Sequence, residues 1–303
     1  MVPSLSRWVV LSLALSFASA SPLEGSVLHR RQSVTTLTPE QVAAYKPYSY
    51  YASAGACQPS LTLNWTCGTA CEANPDFKPV ASGGNGDSVQ FWYVGYAPSL
   101  DTVIVSHQGT DFSKLLPILT DINIILSNLD DILFPGVSSD IMVHSGFKEA
   151  QADAAEIILS YVEMAMSTYS TNSVTAIGHS LGGAIALLDG VYLDLQLPSA
   201  SVSVVSYGMP RVGNQAFADY VDANVNVTHV NNKKDPVPIL PWREIGYHHC
   251  SGEKHITDSN EWVNCPGQDS PDAQCIVGEV GNLLESNAAD HIGPYDGVTM
   301  GSC

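Results

Sequence analysis

The sequence predicts an α/β fold in which a mostly parallel sheet is covered by helices on both faces. The alternation of elements along the chain points to it, and the chain length permits it. From about residue 87, short runs rich in β-branched and aromatic residues alternate with stretches of helical pattern. Such an alternation is typical of a parallel sheet with helices packed on it. The 303 residues are enough for one such domain with a sizeable core.

Five strands and two helices are predicted along the chain. The strands are 89–97, 102–109, 173–178, 200–208 and 225–232. An amphipathic helix is predicted over 148–169, and an Ala- and Leu-rich helix follows Ser180. Because sheets of this type carry their sites at the carboxyl ends of the strands, functional residues are expected in the loops that follow them.

The N-terminal residues are not expected to belong to that fold. A basic residue precedes an apolar run that ends in Ala-Ser-Ala, which predicts a signal peptide over 1–20. The dibasic Arg30-Arg31 predicts a propeptide over 21–31 and leaves 32–303 as a single domain. No later stretch is long and apolar enough to span a bilayer, so a secreted protein without a transmembrane anchor is expected.

Net charge restricts the partners of the chain. Thirty Asp and Glu residues stand against twelve Lys and Arg residues, a formal charge of −18. Binding to nucleic acid needs clustered basic side chains that displace counterions from phosphates, so a nucleic-acid partner is not expected. The same argument disfavours adhesion to an anionic membrane surface.

The chain has seven cysteines, and secretion would permit them to form disulfides. Spacing alone gives no connectivity, and the odd number leaves one thiol over. The C-x3-C pattern at 67–71 lacks a matching Cys/His pair at zinc-finger spacing, so no metal site is expected. Asn64 and Asn226 begin N-glycosylation sequons, which predicts that both lie on the surface.

The stretch Gly178-His-Ser180-Leu-Gly182 is a G-x-S-x-G pattern between a predicted strand and a predicted helix. In that context the pattern is typical of a nucleophile elbow, where a serine hydroxyl stands at a sharp turn beside the N-terminus of a helix. Small neighbours are needed there because strand and helix approach closely. The alternative is a glycine-rich turn that carries an inert serine.

A serine nucleophile needs a base and an orienting acid, which in this fold follow it in the order acid, then histidine. Asp235 comes a few residues after a predicted strand, in a loop stiffened by prolines. His291 lies in a loop near the chain end. As the candidate base it is favoured only modestly over His248 and His249. The earlier histidines are assigned structural roles; they are His107, His144 and His179.

Five motifs together resemble the fungal class 3 lipase family, which includes lipases and feruloyl esterases. In chain order they are VHSGF (143–147), GHSLGGA (178–184), SYGMPRVGN (206–214), NNKKDPVPILP (231–241) and DHIGPYDG (290–297). The likeness runs from about Tyr45 to Cys303. It implies an α/β-hydrolase fold with Ser180 as nucleophile, Asp235 as the acid and His291 as the base.

The resemblance also implies smaller features of the site. Thr110 and the backbone N–H of Leu181 would donate to the oxyanion, and Asp121 would orient the Thr110 hydroxyl. The disulfides it implies are Cys57–Cys303, Cys67–Cys71 and Cys265–Cys275. Cys250 is then left as a free thiol, either buried or reactive.

The chain departs from the family pattern beside the expected site. His107-Gln108 stands where Phe-Arg is usual, so packing and ion pairing are expected to differ there. The segment that covers the site in the family, here 111–136, is longer and lacks its usual tryptophan. Its apolar residues recur at mixed spacings of three and four and are Leu115, Leu116, Ile118, Leu119, Ile122, Ile125, Leu126 and Leu129. They predict a mobile lid with an apolar inner face, or else a helix packed permanently over the core.

These observations predict a secreted, extracellular serine ester hydrolase that works through an acyl-enzyme, without metal or cofactor. The apolar lid favours a lipase that acts on acylglycerols or other long-chain esters at a lipid–water interface, as a monomer. The alternative is a feruloyl esterase acting on hydroxycinnamate esters. A non-catalytic binding module with this fold is less favoured because a full set of serine, acid and histidine is present in order. A peptidase is also less favoured, and an assay with casein would distinguish it from an esterase.

Overall fold

The computed structural model describes Met1, residues 33–121 and residues 125–303, in which thirteen strands form two sheets. The strands are β1 (Thr35–Thr36), β2 (Lys78–Gly83), β3 (Trp92–Ala97), β4 (Thr102–His107), β5 (Leu126–Asn128), β6 (Met142–His144), β7 (Ser173–His179), β8 (Ser201–Tyr207), β9 (Gly213–Asn214), β10 (Asn226–Asn232), β11 (Tyr247–His248), β12 (Glu253–Ile256) and β13 (Trp262–Asn264). Apart from Met1, the predicted signal peptide and propeptide lie outside the described residues.

In the part of the chain that the structure describes, ten α-helices connect and cover these strands. They are α1 (Pro39–Ala43), α2 (Lys46–Ala54), α3 (Pro59–Asn64), α4 (Thr69–Glu72), α5 (Phe112–Thr120), α6 (Ser145–Ala152), α7 (Ala155–Tyr169), α8 (Leu181–Gln196), α9 (Gln215–Asn224) and α10 (Ile276–Glu279). Three short 3₁₀ helices, Val237–Ile239, Arg243–Ile245 and Ala288–Ile292, lie in the loops after β10 and near the chain end. Within the described ranges, no helix has the length and apolarity needed to cross a membrane.

The main sheet has nine strands in the order β1-β13-β12-β10-β8-β7-β4-β3-β2. Its five central strands, β12, β10, β8, β7 and β4, are parallel, and the strands at both edges are antiparallel. A smaller antiparallel sheet pairs β11, β9, β6 and β5. This architecture confirms the mostly parallel, helix-flanked sheet that the alternation of elements predicts.

The prediction of a single helix over 148–169 is wrong. The chain forms α6 and α7 instead, with a break at Ala154, whose φ of −128° and ψ of −4° are not helical. Ala154 and Ala155 are both buried in the core, so the break turns the chain there without exposing apolar surface. No proline or glycine marks the break, which explains why the local pattern does not reveal it.

Each face of the sheet buries its own apolar cluster, because side chains alternate along a strand. On β4, Val103 and Val105 face the cluster beneath α6, α7 and α8, whereas Ile104 faces the cluster beneath α2. On β7, Ala176 and Ile177 divide between the clusters in the same way. The strands that carry the site are therefore fixed from both sides.

Three disulfides link the cysteines, Cys57–Cys303, Cys67–Cys71 and Cys265–Cys275. The first joins positions 246 residues apart and holds the chain end against the region after α2, so it restricts the unfolded chain most. Cys250 is unpaired and buried, and burial raises the pKa of its thiol. A buried thiol of this kind is a weak nucleophile.

Buried histidines make the stability of the fold sensitive to acid. Burial lowers the pKa of His144 and of His229 to about 4, and that of His179 and His249 well below the ordinary value. In the unfolded chain these groups bind protons near pH 6.5. Stability is therefore fully present above pH 6.5 and is lost as the pH falls toward the pKa values of the folded state.

We predict that the free energy of unfolding drops by up to about 1.4 kcal/mol per pH unit for each such histidine in this range. Urea unfolding at pH 7, 6, 5 and 4.5 measures it. A His229→Gln variant should show a shallower slope than the parent. A free energy of unfolding that stays constant between pH 6.5 and 4.5 would contradict the assignment.

Candidate active site

Ser180 occupies a strained turn between β7 and α8. Its φ of +60° and ψ of −128° lie where residues with a side chain are rarely found, at a cost of about 1–3 kcal/mol. Its N–H donates to the Tyr207 carbonyl at 2.9 Å, and its carbonyl accepts from the Gly183 N–H at 2.9 Å. These bonds hold the turn and leave the hydroxyl at the N-terminal end of α8.

Two glycines make this turn possible by allowing backbone to touch backbone. A Cβ on Gly178 would overlap the Gly182 carbonyl, and a Cβ on Gly182 would overlap the His107 carbonyl at the end of β4. Strand, turn and neighbouring strand therefore approach more closely than any side chain permits. The spacing of small residues in the motif follows directly from this contact.

Ser180, His291 and Asp235 form one hydrogen-bonded chain. His291 Nε2 lies 2.9 Å from Ser180 Oγ, and His291 Nδ1 lies 2.9 Å from Asp235 Oδ2. All three side chains are fully buried or nearly so, with 0%, 1% and 0% of their surface exposed. With Nδ1–H donated to the carboxylate, Nε2 is free to accept the serine proton.

The other two histidines considered as bases lie elsewhere. His248 Nδ1 is 3.7 Å from Asp269 Oδ2, and the His249 N–H donates to the same oxygen at 3.0 Å. The His249 ring stacks on His229 with centroids 4.7 Å apart. Of the three candidates, only His291 lies beside Ser180.

The backbone of His291 is held by two side chains for which the sequence gives no clear signal. His179 Nε2 donates to the His291 carbonyl at 2.8 Å, and the Tyr295 hydroxyl donates to the same carbonyl at 3.1 Å. The His179 ring also packs on the His291 ring, with centroids 4.5 Å apart. Burial and the neighbouring His291 keep the pKa of His179 well below its ordinary value, so it donates as a neutral ring. Its position directly before Ser180 is the available clue.

Gly208 is a third residue near His291 for which the sequence gives no clear signal. It has φ +53°, and a Cβ there would lie 2.8 Å from Asp235 Oδ2, 2.8 Å from the Tyr295 hydroxyl and 3.1 Å from His291 Nδ1. The absence of a side chain leaves room for the contact between acid and imidazole. This glycine follows β8 directly, which places it at the carboxyl edge of the sheet.

The oxyanion donors expected beside Ser180 are Leu181 and Thr110. Leu181 is the first residue of α8, so its N–H is one of the unpaired donors at a helix N-terminus. Gly109 lies against the elbow, since a Cβ on it would approach Ser180 Cβ to 3.3 Å. Asp121 ends α5 and is exposed. The roles of Thr110 and Asp121 stay predictions.

The unusual His107-Gln108 pair has its own partners. His107 Nε2 lies 2.7 Å from Asp189 Oδ2 on α8, and the Gln151 amide donates to the other Asp189 oxygen at 2.9 Å. Gln108 Oε1 accepts from the Phe91 N–H at 3.0 Å. The buried His107 contact ties the end of β4 to the helix that follows Ser180.

Helix α5 lies over this site. Phe112 packs on the His291 ring with centroids 5.6 Å apart, while Leu115 and Leu119 are fully buried. Beside Phe112, a cavity of about 480 Å³ opens between residues 108–112 and residues 301–303. Its lining mixes polar and apolar groups and includes Gln108, Thr110, Phe112, Lys114, His291 and Ile292.

Comparison with known protein families gives one assignment. The model of the family described as lipase (class 3) matches residues 104–244. A secreted mono- and diacylglycerol lipase of Malassezia globosa is 30% identical over 236 residues, which are 72% of this chain and 76% of the relative. Secreted mono- and diacylglycerol lipase 3 of Gibberella zeae is 33% identical over 233 residues, 73% of this chain and 72% of the relative.

Solved structures agree with the sequence relatives. The Rhizomucor miehei lipase in its propeptide complex matches with a TM-score of 0.77 and 25% identity, over 89% of this chain and 85% of that one. Lipase II from Rhizopus niveus matches with a TM-score of 0.76 and 26% identity, over 89% of this chain and 100% of that one. The fold described above is thus an α/β-hydrolase fold.

Replacing Gly208 tests the packing of acid and imidazole. In Gly208→Ala the new methyl group meets Asp235 and His291, so we predict a loss of ester-hydrolysing turnover of about tenfold or more. Steady-state assays with a soluble p-nitrophenyl ester measure it.

Gly297→Ala is the matched control. Gly297 has φ +83° but lies in an exposed turn with open space around its Cα, so backbone strain is similar and the site is untouched. Equal activity losses in the two variants would mean that strain, and not the contact with the site, explains the Gly208 effect.

Proposed function

The chain belongs to the class 3 lipase family and is a carboxylic ester hydrolase, and we propose that it is a serine lipase acting on mono- and diacylglycerols through an acyl-enzyme. The observation that carries the proposal is the buried chain of contacts from Ser180 through His291 to Asp235. Fully buried serine, imidazole and carboxylate groups in this order have a direct chemical use in acyl transfer.

In the first half-reaction, His291 Nε2 takes the proton as Ser180 Oγ attacks the ester carbonyl. Asp235 holds Nδ1–H and stabilises the imidazolium that forms. The Leu181 N–H at the start of α8 and Thr110 donate to the carbonyl oxygen as it becomes negative. His291 then returns the proton to the leaving alcohol, and the acyl group remains on Ser180.

In the second half-reaction, water takes the place of the alcohol. His291 removes a proton from that water, the hydroxide attacks the acyl-enzyme, and the same donors stabilise the second oxyanion. The proton passes to Ser180 as the fatty acid leaves. The ester, one water molecule and the named protein groups account for both steps.

The substrate class rests on the relatives and on the segment above the site. The relatives from Malassezia globosa and Gibberella zeae are named mono- and diacylglycerol lipases. In segment 111–136, Ile118, Ile125 and Ile132 expose 48%, 65% and 82% of their surface, which suits contact with lipid. The feruloyl esterase alternative finds no support among these relatives.

Substrate access requires movement, because Ser180 has no exposed surface. We propose that segment 111–136 is a lid, and that α5 leaves its place over His291 when the enzyme meets a lipid surface. Phe112, Leu115 and Leu119 would then change from buried or partly buried side chains to the lining of an acyl groove.

Secretion as an extracellular enzyme is supported by the names of the relatives and by the three disulfides. Asn64 and Asn226 are exposed, as glycosylation at their sequons would require. One chain supplies Ser180, His291 and Asp235, so a monomer, which we propose, can carry out the reaction.

Removing the serine hydroxyl tests the reaction type. We predict that Ser180→Ala lowers kcat for ester hydrolysis by roughly 10⁴-fold or more, because the nucleophile is lost. Titrimetric release of fatty acid from monoolein measures it. Ser160→Ala, at an exposed position on α7, is the control with unchanged activity. A folded Ser180→Ala protein with substantial turnover would disprove the mechanism.

The lid is tested at a lipid surface. We predict a rise in rate when monoolein passes from monomers to aggregates, and a loss of about tenfold in this rate in Ile118→Asp, because the charge disfavours contact with lipid. A soluble short-chain ester should be hydrolysed equally by both proteins. Met164→Asp on α7, where 52% of the side chain is exposed, is the matched control. A dependence on aggregation that Ile118→Asp leaves unchanged would contradict the proposed lid.

A further inference from the structure

The loop that carries Asp235 makes an internal backbone hydrogen bond, from the Leu240 N–H to the Val237 carbonyl at 3.0 Å, but has few N–H donors of its own. Residues 235–241, here called the acid loop, contain Pro236, Pro238 and Pro241, none of which has an N–H to donate. Within the loop, the Asp235 carboxylate accepts from the Val237 N–H at 2.9 Å. The carbonyl groups in the second half of the loop therefore need donors from elsewhere in the chain.

One arginine donates hydrogen bonds to most of these carbonyl groups. Arg211 lies in the SYGMPRVGN motif and is 2% exposed. Its backbone N–H donates to the Leu240 carbonyl at 2.8 Å, and its Nη1 donates to the carbonyls of Ile239 and Pro241. Three consecutive carbonyls of the acid loop thus converge on a single residue.

The remaining carbonyl is bound by a histidine. His249 Nε2 donates to the Pro238 carbonyl at 2.9 Å, and the ring is buried. Burial and the stacked His229 ring keep the pKa of His249 well below its ordinary value, so the ring is neutral and its one N–H points to the acid loop.

Both donors are anchored on one carboxylate. Asp269 Oδ1 accepts from Arg211 Nε at 2.8 Å and pairs with Arg211 Nη2 at 2.8 Å, while Oδ2 accepts from the His249 N–H at 3.0 Å. Burial alone would raise the pKa of Asp269, but Arg211 and His249 together more than offset this, and the pKa lies below its ordinary value. An ionised Asp269 therefore fixes the orientation of Arg211 and the position of His249.

We propose that Asp269, Arg211 and His249 form a positioning clamp that holds the acid loop so that Asp235 meets His291. This inference rests on the proposed function, since it concerns the same Asp235 and His291. None of the three clamp residues touches the reacting atoms, so they act through Asp235. The SYGMPRVGN motif then has two tasks, because its Gly208 leaves space for the carboxylate and its Arg211 holds the loop behind it.

A loosened clamp has a distinct kinetic signature. If Asp235 moves away from His291 Nδ1, the imidazolium loses the carboxylate that stabilises it in the transition state. We expect kcat to fall with KM unchanged, because the ester is still bound. The acid limb of the pH profile of kcat/KM should move to lower pH, since the protonated imidazole has lost its partner. A change in folding stability alone does not move that limb.

The experiment compares Asp269→Asn with the parent on a soluble p-nitrophenyl ester, at a temperature where both are folded. The amide keeps the shape of Asp269 and removes its charge. We expect a fall in kcat of about tenfold, a KM within about twofold of the parent, and the shifted acid limb. Val162→Ala, a core change on α7 away from the site, is the control that loses stability without altering kcat or the pH profile.

A second pair of variants covers the case in which Asp269→Asn does not fold. His249→Gln keeps a side-chain N–H for the Pro238 carbonyl and should retain most of kcat, whereas His249→Ala should lower it. A folded Asp269→Asn or His249→Ala variant with parental kcat and acid limb overturns the clamp, as do equal losses in His249→Gln and His249→Ala. Failure of the parent to hydrolyse any ester would instead refute the proposed function, so the two failures are distinguishable.

Discussion

The site depends on one close contact, where the turn between β7 and α8 meets the end of β4 with no side chain between them. Gly178 and Gly182 make this possible, and the carbonyls they approach belong to Gly182 and His107. This contact sustains the strained conformation of Ser180. It also brings the start of α8 beside residues 108–110, so the same contact places the Ser180 hydroxyl and the expected oxyanion donors, Leu181 and Thr110. A side chain at Gly178 or Gly182 would displace both the Ser180 hydroxyl and the expected donors.

His291 and Asp235 come from parts of the chain distant from Ser180, and other residues bind the segments that carry them. The His291 carbonyl is bound by His179 and Tyr295, and the His179 ring also packs on the His291 ring. Asp235 stands on a loop whose carbonyls are bound by buried side chains. Because all these supports are buried, small changes in them are expected to alter geometry before they alter the fold.

The sequence predicts the main sheet well because its signals are local. The five predicted strands correspond to β3, β4, β7, β8 and β10, and the motif places Ser180 at a carboxyl edge. The sequence favours His291 as the base only modestly over His248 and His249, because the choice depends on contacts across the fold. Gly208 escapes prediction because the groups it makes room for, Asp235 and His291, are distant in the chain. The break at Ala154 escapes prediction because no proline or glycine marks it.

Trapping the nucleophile tests the central claim most directly. A long-chain alkylphosphonate ester reacts with an activated serine and mimics the tetrahedral intermediate. Peptide mass spectrometry of the inhibited protein should place the adduct on Ser180, and a crystal structure of the adduct should show its oxygen between the Leu181 N–H and Thr110. An adduct on another residue, or an intact protein that fails to react while folded, would contradict the account.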